Sequence, residues 1–486
     1  MLRADASAST GGGHVARVLA IGEALSVAGW RIVLAARPGT VETVARAAAL
    51  PVVPIRCAAI AEEPAALMSA LPGGCDLLLV DHYGWTTGEE EAVHSWAKRV
   101  AVVGDFARPH ASDVVVDPTP GRAGTAYCGI VPRSCVVLAG AAWAPLERRF
   151  GAARAAALAA RGQRRPEHLL VAMGMTDAAN ATLRTIEGIR ASRFEGCVDV
   201  VLGGSAPNRA SVTAALPPRA RLHLDPPDMP ALIARADLAI GAGGVSALER
   251  ACLGLPSLLI EVANNQREAI AGLVAAGAAR PLGALETISP HRIADALESC
   301  LRDAPSLTAM SHAATRVCDG LGALRVAIAL APERSRDGAP VTLRPAGRED
   351  CNRLLAWQRS PGIRTHARNP VVPTPEEHAA WLERSLADPK RILSILAVGS
   401  EAAGMLRLDR RSDEARSCHE VSILIAPEYQ RQGIGAAALR LARRLVPQDD
   451  LVAEILPKND ASRALFSAAG YEQCSDTIWQ RHGGIP

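Results

Sequence analysis

Short runs rich in leucine and β-branched residues alternate with stretches of helical periodicity from Leu2 to about Leu146. RIVLAA (31–36), DLLLVD (76–81), RVAVVGD (99–105) and DVVVDP (113–118) read as strands. Runs this apolar, with helices between them, belong to a parallel sheet covered on both faces. The first strand is nearly absent before Arg3, and a few further upstream residues would complete an ordinary buried strand. Several runs end in Asp, at Asp81, Asp105 and Asp117. These positions are the carboxyl ends of strands, where open α/β sheets bind ligands.

The alternation restarts at HLLVAMGMTD (168–177) and continues through VDVVLGG, ARLHL, ADLAIGAGG and PSLLIEVANN to about Ala331. The expected organisation is a first domain over 1–146 and a second over 147–331, alike in kind but with no repeat that aligns residue by residue. Residues 332–340, within APERSRDGAP, concentrate Pro, Gly, Ser and charge and read as a linker. From Val341 the strand signals VTLRPA, ILSILAV, AGMLRLD, CHEVSILIA and LVAEIL predict a third, mixed α/β domain over 341–486.

Composition narrows the function classes. At 486 residues and 49% hydrophobic content the chain exceeds one core and divides into several. Its 53 Lys and Arg nearly balance 50 Asp and Glu, so no sequence-wide field draws it to nucleic acid or an anionic membrane. The 11 cysteines include no C-x-x-C pair, which argues against a disulfide framework and a thiolate zinc site. No apolar run reaches the roughly 18 residues of a membrane span. A soluble cytoplasmic protein without a metal is expected.

Glycine-rich loops lead into helices twice. In STGGGHVARVLAIGEAL (9–25) apolar Val15, Val18, Leu19 and Leu25 recur at helical spacing, so a helix begins near His14. In LAIGAGGVSALERACLGLP (238–256) a strand runs into Gly241, Gly243 and Gly244, and a helix begins near Val245. Such loops expose backbone N–H groups beside the positive end of a helix, which favours an anion. One loop per domain suggests a cleft with a binding element on each side.

These residues carry a resemblance. RADAS, GGGHVARVLAIGEAL, VDHYG, VVGDFARPHASDVVVDP, MGMTDAANAT, GAGGVSALERACLGLPSLLIEVANNQ and AGAARPLG, in consistent order from residue 2 to about 290, resemble the UDP-2,4-diacetamido-2,4,6-trideoxy-β-L-altropyranose hydrolases of pseudaminic acid biosynthesis. The resemblance implies two Rossmann-like domains in the GT-B arrangement. It also implies metal-free displacement of UDP from the anomeric carbon by water. His14 would accept the proton of the attacking water, its ring kept neutral by the helix N-terminus, while Gly12 and Gly13 admit the sugar. Asp5 would orient His14 or bind substrate, although a strand-end Asp also serves as a cap. Gly243 and Gly244 would cradle the diphosphate, with Ser246 and Gln266 among the substrate-binding residues. Glu249 would accept the ribose hydroxyls, the plainer reading being an acid in a helix's first turn. Tyr83 would touch the sugar and Asn265 its acetamido group or anomeric region, or both are simply hydrogen-bonded polar groups.

The third domain resembles the GNAT-superfamily N-acetyltransferases. In HEVSILIAPEYQRQGIGAAALRLARRL (419–445) a strand precedes Gln430, Arg431, Gln432, Gly433, Ile434 and Gly435 and then an amphipathic helix. The resemblance implies that these residues, with Ile425, hold the pyrophosphate of acetyl-CoA on backbone amides. PKNDASRALFSAAGYEQ implies that Asn459 contacts the pantetheine arm. Phe466 stands where relatives often carry the tyrosine acid, leaving Tyr471 or water. Glu420 would deprotonate the amine, directly or through water.

Together the resemblances imply a bifunctional enzyme that acetylates the 4-amino group of a UDP-sugar and then releases UDP, its halves tethered by the linker and in contact with neighbouring pathway enzymes. Two alternatives stay open: a GT-B glycosyltransferase with an accessory acetyltransferase, and a non-catalytic nucleotide-sugar-binding module joined to an active acetyltransferase.

Overall fold

A computed structural model of the chain describes residues 1–7, 10–162, 166–411 and 417–484; Ser9 of the first glycine loop lies outside them. The first apolar runs build β1 (Leu2–Ala4), β2 (Leu34–Ala36), β3 (Val52–Pro54), β4 (Leu78–Asp81), β5 (Val100–Val103), β6 (Val114–Asp117) and β7 (Val136–Ala139). They form one sheet in the order β3-β2-β1-β4-β5-β6-β7, with every pairing parallel. The order reverses between β1 and β4, the position at which doubly wound sheets open a crevice beyond their strand ends. Despite its length β1 lies between β2 and β4, and the N-terminal amine of Met1 donates to the Leu77 carbonyl at 2.6 Å.

The second sheet repeats the topology. β8 (His168–Ala172), β9 (Cys197–Leu202), β10 (Ala220–Leu224), β11 (Leu238–Ala242), β12 (Ser257–Glu261) and β13 (Ala279–Ala284) lie in the order β10-β9-β8-β11-β12-β13, all parallel. Successive side chains enter opposite cores: Leu169 and Val171 join Leu238, Ile240 and Ile260, whereas Leu170 joins Ala239 and Leu259. Burial on both faces explains why these strands read as unbroken apolar runs. The edge strands β3, β7 and β13 were absent from the sequence reading, because Val52 and Val136 are exposed and Pro281 and Gly283 interrupt β13.

Met1–Val326, containing both sheets, is one compact unit and Ala327–Pro486 is another. The second unit holds β14 (Glu333–Arg334), β15 (Pro340–Pro345), β16 (Arg391–Val398), β17 (Glu401–Arg411), β18 (Cys418–Ile425), β19 (Asp450–Glu454), β20 (Glu472–Gln473) and β21 (Ile478–Arg481), ordered β14-β15-β16-β17-β18-β19-β21-β20. Among the described residues only β18 and β19 of this sheet pair in parallel. Leu393, Ile395, Met405 and Leu424 of its strands pack on Leu354, Trp357 and Leu382 of two helices.

The expected linker is a correction. Within 332–340, Glu333 and Arg334 pair with Val341 and Pro340, and the turn closes through Ser335 N–H to the Ala339 carbonyl at 3.0 Å with Gly338 at φ +87°. Glu333 accepts from Arg440 Nε at 2.6 Å. Turn residues and charges look like a tether in sequence; here they form a hairpin at the edge of the third sheet. Among the described residues no helix is long and apolar enough to cross a membrane.

Candidate functional site

The helix Gly13–Val27 begins immediately after the first glycine loop and buries Val15, Val18, Ile21 and Leu25. At Gly22 an added Cβ would lie 2.8 Å from Leu2 Cδ1, so this helix approaches β1 as only glycine allows. His14 and Arg17, one turn apart, share a helix face. That face meets the end of β4: His14 Nδ1 lies 2.5 Å from Asp81 Oδ1, while Arg17 donates from Nε to Asp81 Oδ2 at 2.7 Å and from Nη2 to Oδ1 at 2.9 Å. A carboxylate only accepts, so the ring carries its proton on Nδ1 and Nε2 is left as the basic nitrogen.

Arg17 also donates to Asp105, beyond the end of β5. An unpaired buried guanidinium would cost several kcal/mol; this one, 3% exposed, lies between two carboxylates that hold it charged despite its burial. Against its own burial, Asp81 is kept below the usual carboxylate range by Arg17 and His14. Tyr83 stands edge-on to the His14 ring, with centroids 4.4 Å apart, and donates to Asp105 Oδ2 at 2.6 Å. Burial and the Asp105 charge raise its hydroxyl well above the ordinary tyrosine value. Its oxygen accepts from Asn265 Nδ2, on the second sheet's side, at 2.8 Å.

A cleft is lined by Thr10, Gly13, His14, Arg17, Tyr83 and Asp105 from the first half and by Gly243, Gly244, Val245, Asn265 and Gln266 from the second. Both glycine loops therefore face one space, although they are far apart in sequence. Gly243 donates to Gln266 Oε1 at 3.1 Å, which ties the loop down and occupies that amide. At the start of the helix Val245–Cys252 the Val245 and Ser246 amides have no intrahelical acceptor, whereas the Ala247 amide donates back to the Gly244 carbonyl at 2.9 Å; such a helix start favours an anion. Buried Arg250 braces both sides of the turn, donating to the Ala242 carbonyl at 2.7 Å and Ser246 Oγ at 3.2 Å.

Several expectations are corrected. Asp5 does not orient His14: it is engaged by Arg3 at 2.6 Å and by the Arg37 amide at 2.7 Å, and Asp81 has the orienting position. Against its burial, hydrogen bonds from His82 and Arg3 hold Asp5 well below the usual carboxylate range. Gly12 is buried; an added Cβ would come within 2.8 Å of Val44 and 3.1 Å of Met175, so its smallness serves packing and Gly13 alone lines the cleft. Gly243 offers no free amide to a diphosphate. Glu249, half-buried on the helix Val245–Cys252, is not among the lining residues; burial and the nearby Glu147 carboxylate push its carboxyl up to about 7. Arg17 was missed, and its signal was a charge three residues after His14 on an otherwise apolar helix face.

In the second unit β18 and β19 pair only from Cys418/Asp450 to Glu420/Val452, although β18 continues to Ile425 and β19 to Glu454. The strands part where the Gln430–Gly435 loop follows. Gly433 sits at φ +81° as the N-cap of the helix Ile434–Leu445, and Arg431 is also left-handed at +62°. Gln430 and Gln432 fold their side chains back onto the Ile425 and Glu428 carbonyls at 3.4 and 2.8 Å, and Ile434 is buried, so Gln432 and Ile434 can offer a ligand their backbone amides, whereas the Gln430 amide already donates to the Pro427 carbonyl at 3.3 Å. Gly435 lies against Leu465. Asn459 Oδ1 caps the helix Asp460–Ala468 through the Ser462 amide at 3.1 Å, leaving its Nδ2 to donate.

Glu420 is not a free base. It accepts from Arg411 at 3.1 Å and from Arg368, which also pairs with Glu454 of β19. Against its burial, Arg411 and Arg368 hold its carboxyl below the ordinary range. Tyr471 is buried with its ring 4.9 Å from Phe466; its hydroxyl has no hydrogen-bond partner among the described residues, and burial raises its pKa against the opposing charges of Arg443 and Arg481.

Residues 341–472 match the family of acetyltransferase (GNAT) domains. A curated relative, the spore coat polysaccharide biosynthesis protein SpsG of Bacillus subtilis (strain 168), is 25% identical over 165 residues, which are 33% of this chain. The match covers 48% of that relative, about half its length. Among solved structures, MurG of Acinetobacter baumannii is 18% identical, with 68% of this chain and 98% of that one covered and a TM-score of 0.48. An acetyltransferase from Thermus thermophilus is 27% identical, covering 29% of this chain and 96% of that one with a TM-score of 0.27. The chain therefore joins a pair of Rossmann-like parallel sheets to an acetyltransferase (GNAT) domain at residues 341–472.

Proposed function

We propose that the first unit is a cytoplasmic nucleotide-sugar hydrolase with the GT-B arrangement and that the second transfers acetyl from acetyl-CoA to an amine of the same class of sugar. The observation that carries the first half is His14, its Nδ1 held by Asp81, lining one cleft with the glycine loop and helix start at Gly243–Val245. In this reading Nε2 removes a proton from water as the water attacks the anomeric carbon. The amides of Val245 and Ser246 receive the charge that develops on the departing diphosphate. Tyr83 and Asn265 contact the sugar. Pseudaminic acid biosynthesis, with UDP-2,4-diacetamido-2,4,6-trideoxy-β-L-altropyranose as the hydrolysed sugar, is the pathway the motifs point to.

In the second unit the amides of residues 431–435 receive the pyrophosphate of acetyl-CoA, Asn459 Nδ2 meets the pantetheine arm, and the thioester enters where β18 and β19 part. The buried Tyr471 hydroxyl stays protonated and is the candidate acid, while Glu420 takes the amine proton once substrate displaces Arg368.

Mass spectrometry of products from the full chain, acetyl-CoA and a 4-amino UDP-sugar tests both halves. Free UDP with an N-acetylated sugar supports the reading. UDP release only on addition of a sugar acceptor would make the first unit a glycosyltransferase, and no release under any condition would leave it a binding module.

A further inference from the structure

The hydrogen bonds around His14 form an unbroken line that crosses the cleft. Asn265 Nδ2 donates to Tyr83 at 2.8 Å, Tyr83 donates to Asp105 Oδ2 at 2.6 Å, and Arg17 Nη1 donates to Asp105 Oδ1. Arg17 then grips both oxygens of Asp81, and Asp81 Oδ1 meets His14 Nδ1. We propose that Arg17 is a positioning residue that sets the His14 imidazole according to whether Tyr83 and Asn265 meet across the cleft. The proposal rests on the hydrolase reading.

The donor inventory gives the line a single direction. Tyr83 has one O–H, and Asp105 can only accept, so that hydrogen goes to Asp105 and the Tyr83 lone pair is what Asn265 finds. Arg17 is a planar fork whose nitrogens keep fixed spacing, so displacement of Asp105 tilts the same group that holds Asp81. The Asp81 backbone sits in a strand buried on both sides, which leaves its carboxylate rotation, and with it the His14 ring, as the part able to respond. The edge-on contact of Tyr83 with His14 is a second link in the same direction. Charge fits the role as well: two carboxylates face one guanidinium, and the surplus negative charge is offset when the imidazole gains a proton from water.

The test compares Arg17→Lys, Tyr83→Phe and the double variant in the full chain, reading UDP release from a UDP-sugar. Lysine keeps the charge but lacks the planar fork that grips both oxygens of Asp81 while reaching Asp105. Arg17→Lys is expected to lower kcat about 100-fold with KM changed less than about threefold. Tyr83→Phe is expected to lower kcat about tenfold in the wild-type background but under about threefold in the Arg17→Lys background. Factors that multiply in the double variant overturn the proposal. A readout independent of turnover is the NMR signal of the His14 Nδ1 proton in 15N-histidine-labelled protein, assigned by its loss in His14→Gln. A shifted signal in Tyr83→Phe supports the coupling and an unmoved one overturns it. A shifted signal in Tyr83→Phe together with a wild-type chain that releases no UDP retires the hydrolase reading while the coupling stands.

Discussion

Asp81 meets Nδ1 of His14 at 2.5 Å, from the carboxyl end of β4 to the second residue of the helix that follows β1. Strand and helix thus jointly fix a tautomer, and a base whose proton sits on the wrong nitrogen is not a base. His14→Ala is expected to lower UDP release at least about 100-fold, the usual worth of a general base, with acetyl transfer unchanged. Asp81→Asn should cost a similar factor. It should also destabilise the first unit by about 3–5 kcal/mol, because Arg17 loses a buried counter-charge. UDP release and urea denaturation check these outcomes.

Glu249 makes the stability of the first unit depend on pH. Its folded carboxyl, raised to about 7, holds a proton over a pH range in which the unfolded chain's carboxyl, at 4.5, has lost it. The folded state therefore binds more protons, and stability falls as pH rises from about 4.5 to about 7. Glu249→Gln is expected to raise the melting temperature at pH 8, by the equivalent of about 3 kcal/mol, and to change it little at pH 4. Calorimetry at both pH values reads the effect.

Gly433 occupies the left-handed region, and a Cβ there would lie 3.1 Å from the Arg336 amide nitrogen of the β14–β15 turn. Gly433→Val should raise the KM for acetyl-CoA by about tenfold or more, since it strains the backbone by about 1–3 kcal/mol where amides must face phosphate. UDP release should stay at the wild-type rate in the same preparation.

Because Arg411 and Arg368 hold Glu420 below the ordinary carboxylate range, its stabilising pairs are complete at neutral pH and are lost only as pH falls through that depressed value. For acetyl transfer, kcat/KM for the amine, which reports the free enzyme, should accordingly show no acid limb from Glu420 above about pH 5, near the unperturbed glutamate range. Arg368→Ala should raise the pH at which Glu420 loses its charge and bring such a limb into view. Rate profiles of both proteins with saturating acetyl-CoA decide the point.

The sequence reading succeeded where one local rule acts alone. β8, β11 and β12 are buried on both faces, so their apolar runs announced them. The loops at His14 and Gly433 announced themselves because a helix start needs glycine or a cap at a particular place. It missed β3, β7 and β13, whose side chains are partly exposed or interrupted by Pro and Gly. It also took Glu333–Pro340 for a tether, since a charged hairpin and a linker share a composition.

By itself the sequence determined the periodic elements and the two doubly wound halves, set by spacing within a few residues, and it carried the resemblance to the acetyltransferases. Which carboxylate holds His14, that the Gly243 amide is already occupied, that Gly12 serves packing, and that Glu420 is bound by arginines were decided only by tertiary structure. Most of those relations join residues tens of positions or more apart, and a carboxylate's partner depends on which strand end faces which helix. No local pattern encodes that distance; the strand order of the sheets does.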